Sequence, residues 1–210
     1  MANHVYFNVE VEGLTEEQFT CLWKTEEVKY VNYNDEECTR HDLIDLHNQP
    51  FMLNIERKED EDGWIQDSYN WYCNNIGAKW CHIEDWECYP TFSGYSAWSQ
   101  PLYLVENLLE YASNRFGVEV SAKMTYEDEF RNFIGVDYFE TFEEDGEWFA
   151  TSSENTINGE ELTERVQKYF DMEDDDFDWD DHSEELNRTA SEYMDDLVYG
   201  FFEKGVLNDD

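Results

Sequence analysis

TFSGYSAWSQPLYLVENLLEYASNRFG, residues 91–117, joins an aromatic and β-branched run to a long apolar stripe, and that junction decides the fold. Residues 91–98 (TFSGYSAW) read as a strand. Pro101 suits a first helical turn with Ser99 placed to cap it, and Leu102, Val105, Leu108, Leu109, Ala112 and Phe116 then recur at helical spacing. Upstream, KWCHIEDWE at 79–87 predicts the preceding strand. Downstream, VEVSAKMTYED (118–128) and NFIGVDYFETFEEDGEWFATS (132–152) alternate as strands, with EEDGE at 143–147 as a hairpin turn. At the N-terminus Val5, Phe7, Val9 and Val11 oppose Tyr6, Asn8, Glu10 and Glu12, the mark of a half-buried strand, and Gly13 ends it. Thr15 with Gln18 makes a capping-box pattern before the stripe Phe19, Leu22, Trp23. The order is β-α-β-β-α-β with extra strands, an α+β chain. Residues 24–67 are polar and without period, and ERKEDEDG at 56–63 reads as a solvated turn.

After residue 157 the period turns helical. Asn158 with Glu161 predicts a cap for a helix carrying Leu162, Val166, Tyr169 and Phe170. A second helix keeps Leu186, Ala190, Tyr193, Met194, Leu197 and Phe201 on one face, with Gly205 placed to stop it. The expected division is an α+β domain over 1–157 and an acidic helical extension over 158–210 packed on it. Between the two helices lies DMEDDDFDWDDHSEE, residues 171–185, with ten carboxylates, no Lys or Arg, and two aromatics, Phe177 and Trp179.

The whole chain leans the same way, with 52 Asp and Glu against 13 Lys and Arg and a formal charge of −39. Disordered acidic chains reach such charge by giving up apolar residues, but here hydrophobics are 40% and aromatics 17%, enough to bury a core. A folded chain of this mass exposes about 10,000 Å², so its carboxylates average about one per 200 Å². Duplex DNA carries about one charge per 110 Å² of its enveloping cylinder. A modest concentration of these carboxylates onto one face would therefore match the density of DNA. The last 60 residues hold 20 acids and 4 bases, against 32 and 9 in the first 150, so negative charge is denser per residue at the C-terminal end. An anionic body is repelled by nucleic acid and anionic lipid, and its fitting partners are basic.

NWYCNNIGAKW (70–80) followed by TFSGYSAWSQP (91–101) and an amphipathic helix resembles the YubB ferredoxin-like domain family of phages and plasmids. The matching positions are Trp71, Asn75, Gly77, Lys79, Trp80, Phe92, Trp98, Ser99 and Pro101, and ANHVYFNVEVEG (2–13) looks like the family's first strand. The resemblance spans roughly residues 2–150, with departures at Ala78, Cys81 and Gln100. It implies an α+β ferredoxin-like antiparallel sheet with helices on one face, in agreement with the element order. It implies no catalytic motif. Its phage and plasmid setting points by analogy to action against host defence.

Other chemistries find little footing. Asp174, Asp176, Asp178 and Glu185 fall at positions 1, 3, 5 and 12 of a calcium loop, but Trp179 stands where the sharp turn requires Gly. Cys73, Cys81, His82 and Cys88 lack the short paired spacing of zinc modules and read as core cysteines with a surface His. No phosphate loop, nucleophile elbow or HExxH occurs, and His4, His41, His47, His82 and His182 stand outside any motif. Neither a catalytic residue nor a cofactor is expected. No run of about 18 apolar residues and no signal core occur. Five cysteines, an odd number, point to reduced thiols and a cytoplasmic setting, that of the host cell if the chain is phage-encoded.

The expectation is thus a nucleic-acid mimic of anti-restriction or anti-CRISPR type, binding the basic nucleic-acid-binding surface of a host defence enzyme. The expected partner is a DNA- or RNA-binding nuclease or CRISPR effector. The expected contact surface is Asp171, Glu173, Asp174, Asp175, Asp176, Asp178, Trp179, Asp180, Asp181, Glu184 and Glu185. Phe177 and Trp179 either pin this run to the body or stand out as aromatic anchors. Two alternatives stay open: an acidic interaction protein for a basic partner that is not a nuclease, and an acidic surface serving solvation alone. A symmetric homodimer would extend the acidic face, though nothing in the sequence demands one.

Overall fold

Strand β1 (His4–Glu12) turns Val5, Phe7, Val9 and Val11 inward, none more than 3% exposed, as its alternation requires. The computed structural model describes residues 3–43, 58, 61, 67–170 and 184–207, the side chains of 184–187 excepted. After Gly13 comes helix α1 (Glu16–Thr20), closed by the expected capping box: Gln18 N donates to Thr15 Oγ1 at 3.2 Å and Thr15 N to Gln18 Oε1 at 2.9 Å. Strands β2 (Thr25–Val31) and β3 (Glu37–Leu43) form a separate two-stranded hairpin, followed by α2 (Ser68–Asn75). Strands β4 (Cys81–Asp85) and β5 (Thr91–Ala97) lead into α3 (Leu102–Phe116), then β6 (Ser121–Asp128), β7 (Phe133–Glu144), β8 (Glu147–Ser153) and β9 (Thr156–Asn158). Helices α4 (Gly159–Tyr169) and α5 (Glu184–Lys204) complete the chain. The solvated turn expected at 56–63 lies, but for residues 58 and 61, outside the described residues.

The main sheet runs β4-β5-β1-β6-β7-β8, with β9 also on β7, and each described pairing is antiparallel. The fold is therefore α+β. β8 and β9 keep one register on β7, Ser153 opposite Tyr138 and Thr156 opposite Gly135, so they are two halves of a strand interrupted at Glu154 and Asn155. The turn between β7 and β8 is the expected hairpin, with Asp145 (φ 54) and Gly146 (φ 89) both left-handed.

Ser99 does not cap α3. Pro101 is the N-cap residue, just ahead of the first turn, and supplies no side-chain cap, and Ser99 Oγ instead donates to Gly77 O at 2.8 Å. A Cβ on Gly77, whose φ is +88, would stand 2.9 Å from Leu102 N, so this glycine lets the end of α2 close on the start of α3. Buried hydroxyls lock the other end of α3: Ser113 Oγ donates to Thr141 Oγ1 at 2.9 Å, which receives Val120 N at 2.8 Å.

Helices lie on both faces of the sheet: α1, α2 and α3 on one, as expected of the N-terminal α+β part, and the two C-terminal helices on the other, a face that the sequence left unassigned. Val5, Phe7, Val9, Met124, Tyr126 and Phe139 pack with Phe19, Leu104, Val105 and Leu108 in a core under α1 and α3. Residues of β7 one step out of phase, Ile134 and Val136, pack instead with Leu162, Val166, Ala190, Met194, Val198 and Phe201 of α4 and α5. Because successive strand residues point to opposite faces, this second core lies on the far side of the sheet. Arg131 ties the β6–β7 turn to it, ion-pairing with Glu127 and with Asp195 of α5. Asn158 caps α4 by accepting Glu161 N at 2.8 Å, and Gly205 (φ 70) ends α5 with its N–H on Phe201 O. Among the described residues no helix is long and apolar enough to cross a membrane.

Candidate protein-binding surface

The expected contact residues Asp171, Glu173, Asp174, Asp175, Asp176, Asp178, Trp179, Asp180 and Asp181 lie outside the described residues, as do Phe177 and the side chains of Glu184 and Glu185. The flanks of that run are described. α4 ends at Tyr169, whose ring stacks on Tyr193 of α5 at 3.9 Å and 19°, while Phe170 meets the same ring edge-on at 6.0 Å. The acidic run thus leaves and re-enters a pair of helices held together by rings and by the second core.

Carboxylates crowd the described surface as well. The β7–β8 hairpin exposes Glu140, Glu143, Glu144, Asp145 and Glu147 around the ring pair Phe142 and Phe149, whose centroids are 5.9 Å apart. Several of the scarce cations are already engaged: Arg131 as above, Arg40 with Asp42 at 2.8 Å, Arg165 with Glu161 at 3.6 Å and Arg188 with Glu192 at 3.7 Å. These pairs neutralise few carboxylates, and a large excess of negative charge stays on the surface.

One acid is different. Asp137 of β7 is fully buried where β8 breaks into β9. Its Oδ1 accepts Tyr126 OH at 3.1 Å and Asn155 N at 3.3 Å, and its Oδ2 accepts Gln100 Nε2 at 3.4 Å. Gln100 Nε2 also reaches Glu154 at 3.2 Å, and Tyr126 OH shares a 2.6 Å hydrogen bond with Thr156. Burial raises the Asp137 carboxyl to about 6, with these hydrogen bonds opposing the rise and the charge of Glu154 adding to it; burial likewise pushes the Tyr126 phenol up. A sealed carboxyl can hold a proton and brace three strand segments. It offers no surface to a substrate.

Cys81 and His82 are neighbours on β4 but turn to opposite faces of the sheet, Cys81 into the core and His82 toward Tyr95. Cys81 is buried, its thiol pushed up by that burial, while Cys73 is half-buried and Cys88 exposed. Among the described residues no three His, Cys, Asp or Glu side chains stand where they could hold a metal ion. The acids at calcium-loop spacing fall outside the described residues.

The outer face of β4, β5 and β1 carries a cluster that the sequence did not disclose: His4, Tyr6, Trp80, His82 and Tyr95. Tyr6 was legible as an outward residue of its strand. The register that sets it beside Tyr95, 89 positions on, was not. Comparison with protein-family models, with curated proteins and with solved structures finds no match.

Proposed function

We propose that the chain is a stoichiometric inhibitor of phage or plasmid type that occupies the basic nucleic-acid-binding surface of a host defence enzyme. What carries this reading is the combination of a −39 formal charge with two well-packed cores, since a rigid body can present carboxylates in fixed geometry as a substitute for phosphates. The order β4-β5-β1-β6 with antiparallel neighbours supports a ferredoxin-like reading of the N-terminal domain, in keeping with the YubB resemblance. The acidic run between α4 and α5 is the proposed centre of contact, and the ring contacts that fasten the end of α4 to Tyr193 of α5, so that both flanking helices are held on the body, support that choice.

Replacing Asp174, Asp175, Asp176 and Asp178 together by Asn tests it. Affinity for the enzyme captured from host lysate is expected to fall at least about tenfold at low salt, chiefly through the association rate. The melting temperature is expected to hold or rise, because self-repulsion is relieved. Unchanged affinity would remove this run from the contact surface.

A further inference from the structure

The ring cluster on the outer face of the sheet is built across three strands. Register sets His82 of β4 beside Tyr95 of β5, and Tyr95 beside Tyr6 of β1. Ring centroids lie 5.0 Å apart for His82 and Tyr95, 5.2 Å for His4 and Tyr95, 5.7 Å for Trp80 and Tyr95, and 6.3 Å for Tyr6 and Tyr95. Tyr6 is 49% exposed and the other four rings are half-buried, so the cluster is set into the sheet with one face open. Helices α1 and α3 lie on the opposite face, and the contacts of α4 and α5 with the sheet centre on β7 and β9.

Carboxylates rim these rings. Glu127 is the cross-strand neighbour of Tyr6, Glu129 approaches His4 Nδ1 at 3.7 Å, and Asp85 and Glu10 lie in the next rows of the same face. Glu127 is shared with Arg131, and Lys123 stands beside Glu10, so the rim is negative on balance without being uniformly so. Elsewhere in the protein the chain's own cations sit on rings: Lys79 Nζ is 4.3 Å from the Trp98 centroid, Arg40 5.4 Å from Tyr30, and Arg115 5.2 Å from Phe116. Among the described residues no Lys or Arg stacks on Tyr6 or Tyr95.

We propose that the rings of Tyr6 and Tyr95, with His4, Trp80 and His82 around them, seat an arginine side chain of a basic protein partner, its guanidinium stacked on the ring faces and its charge met by the rim carboxylates. A planar, weakly hydrated guanidinium suits ring faces better than an ammonium. Nucleobases also stack on such rings, but their phosphates meet a body of −39, and a second copy of the chain meets the same repulsion. This assignment rests on reading the chain as a binder of basic protein, and adds a second contact on a different part of the fold.

The test titrates a capped tri-arginine peptide into the full chain at physiological salt, following aromatic NMR resonances and affinity. The Tyr6 and Tyr95 ring signals are expected to shift, and a tri-lysine peptide to bind more weakly. Tyr6→Ala, which removes an exposed ring and no charge, is expected to weaken arginine-peptide binding about 3- to 5-fold, while Tyr6→Phe retains it. Unshifted rings in the wild-type chain, or affinity indifferent to Tyr6→Ala, would mean that charge alone holds the peptide, and would overturn the ring seat while leaving the inhibitor reading intact. A dodecathymidylate probe that shifts these rings, or ring shifts on raising protein concentration alone, would reassign the face to base stacking or self-association. The inhibitor reading fails separately, if host lysate yields no basic partner.

Discussion

Gly135→Ala is expected to destabilise the protein by about 3 kcal/mol, combining overpacking with the loss of a buried hydrogen bond. Gly135 faces Tyr126 across the β6–β7 ladder, and a Cβ there would fall 1.9 Å from Tyr126 Cζ and 2.1 Å from its hydroxyl. The glycine is needed for space, since its backbone is ordinary strand. The ring cannot easily yield: Tyr126 is 1% exposed, and its hydroxyl is held by Asp137 and Thr156. Moving it would break both bonds, leave Asp137 short of a donor and disturb the junction of β8 with β9. In a chain of this size the loss corresponds to a fall in melting temperature of roughly 6–12 °C. Combining Gly135→Ala with Tyr126→Leu should restore part of it, because the smaller side chain vacates the clash. A fall of under about 1 kcal/mol would show that the ring is free to shift.

Asp137→Asn is expected to remove a pH dependence rather than simply to weaken the fold. The ordinary carboxyl value is 3.8, and burial lifts Asp137 to about 6, so between these values the folded chain holds a proton that the unfolded chain has released. Stability from this group is therefore fully present below about pH 4 and is lost as pH rises toward 6, by about 3 kcal/mol in all. Repulsion among surface carboxylates gives a slope of the same sign, which is why the comparison with Asn is needed. Asn is neutral at every pH. The stability difference between variant and wild type should accordingly move in the variant's favour by about 2 kcal/mol from pH 4 to pH 7, measured by urea unfolding. Parallel stability curves would show that Asp137 keeps an ordinary carboxyl value.

The elements legible in the sequence are those with one buried face. β1, β6 and the β7–β8 hairpin announce themselves by alternation, β4 and β5 by aromatic and β-branched content, and α3, α4 and α5 by their stripes. The β2–β3 hairpin did not, because of its fourteen residues only Leu43 is buried and no apolar period marks it. The stripes of α4 and α5 say that each helix buries a face but not which side of the sheet receives it. A clue lay in FIGVDYF at 133–139, where apolar residues occupy both phases of one strand, as a strand covered on both sides requires. Asp137, set in that same run, was a second clue, since a lone carboxylate in a buried strand must find partners. The ring cluster was the least legible feature, for it arises from pairing between Tyr6 and Tyr95, and register between distant strands is not written locally. The charge that motivates the functional proposal needed no structure; its proposed centre, residues 171–185, was named from composition alone.

The most direct measurement is affinity capture from bacterial lysate at low salt with the immobilised full chain, eluted by steps of salt and then by duplex DNA. The expected result is one basic nucleic-acid-binding enzyme held in fixed stoichiometry and released by the duplex, since protein and DNA would compete for one surface. A smear of unrelated basic proteins leaving together at modest salt, with no species displaced specifically by DNA, would contradict it and would mean that the −39 charge serves solvation.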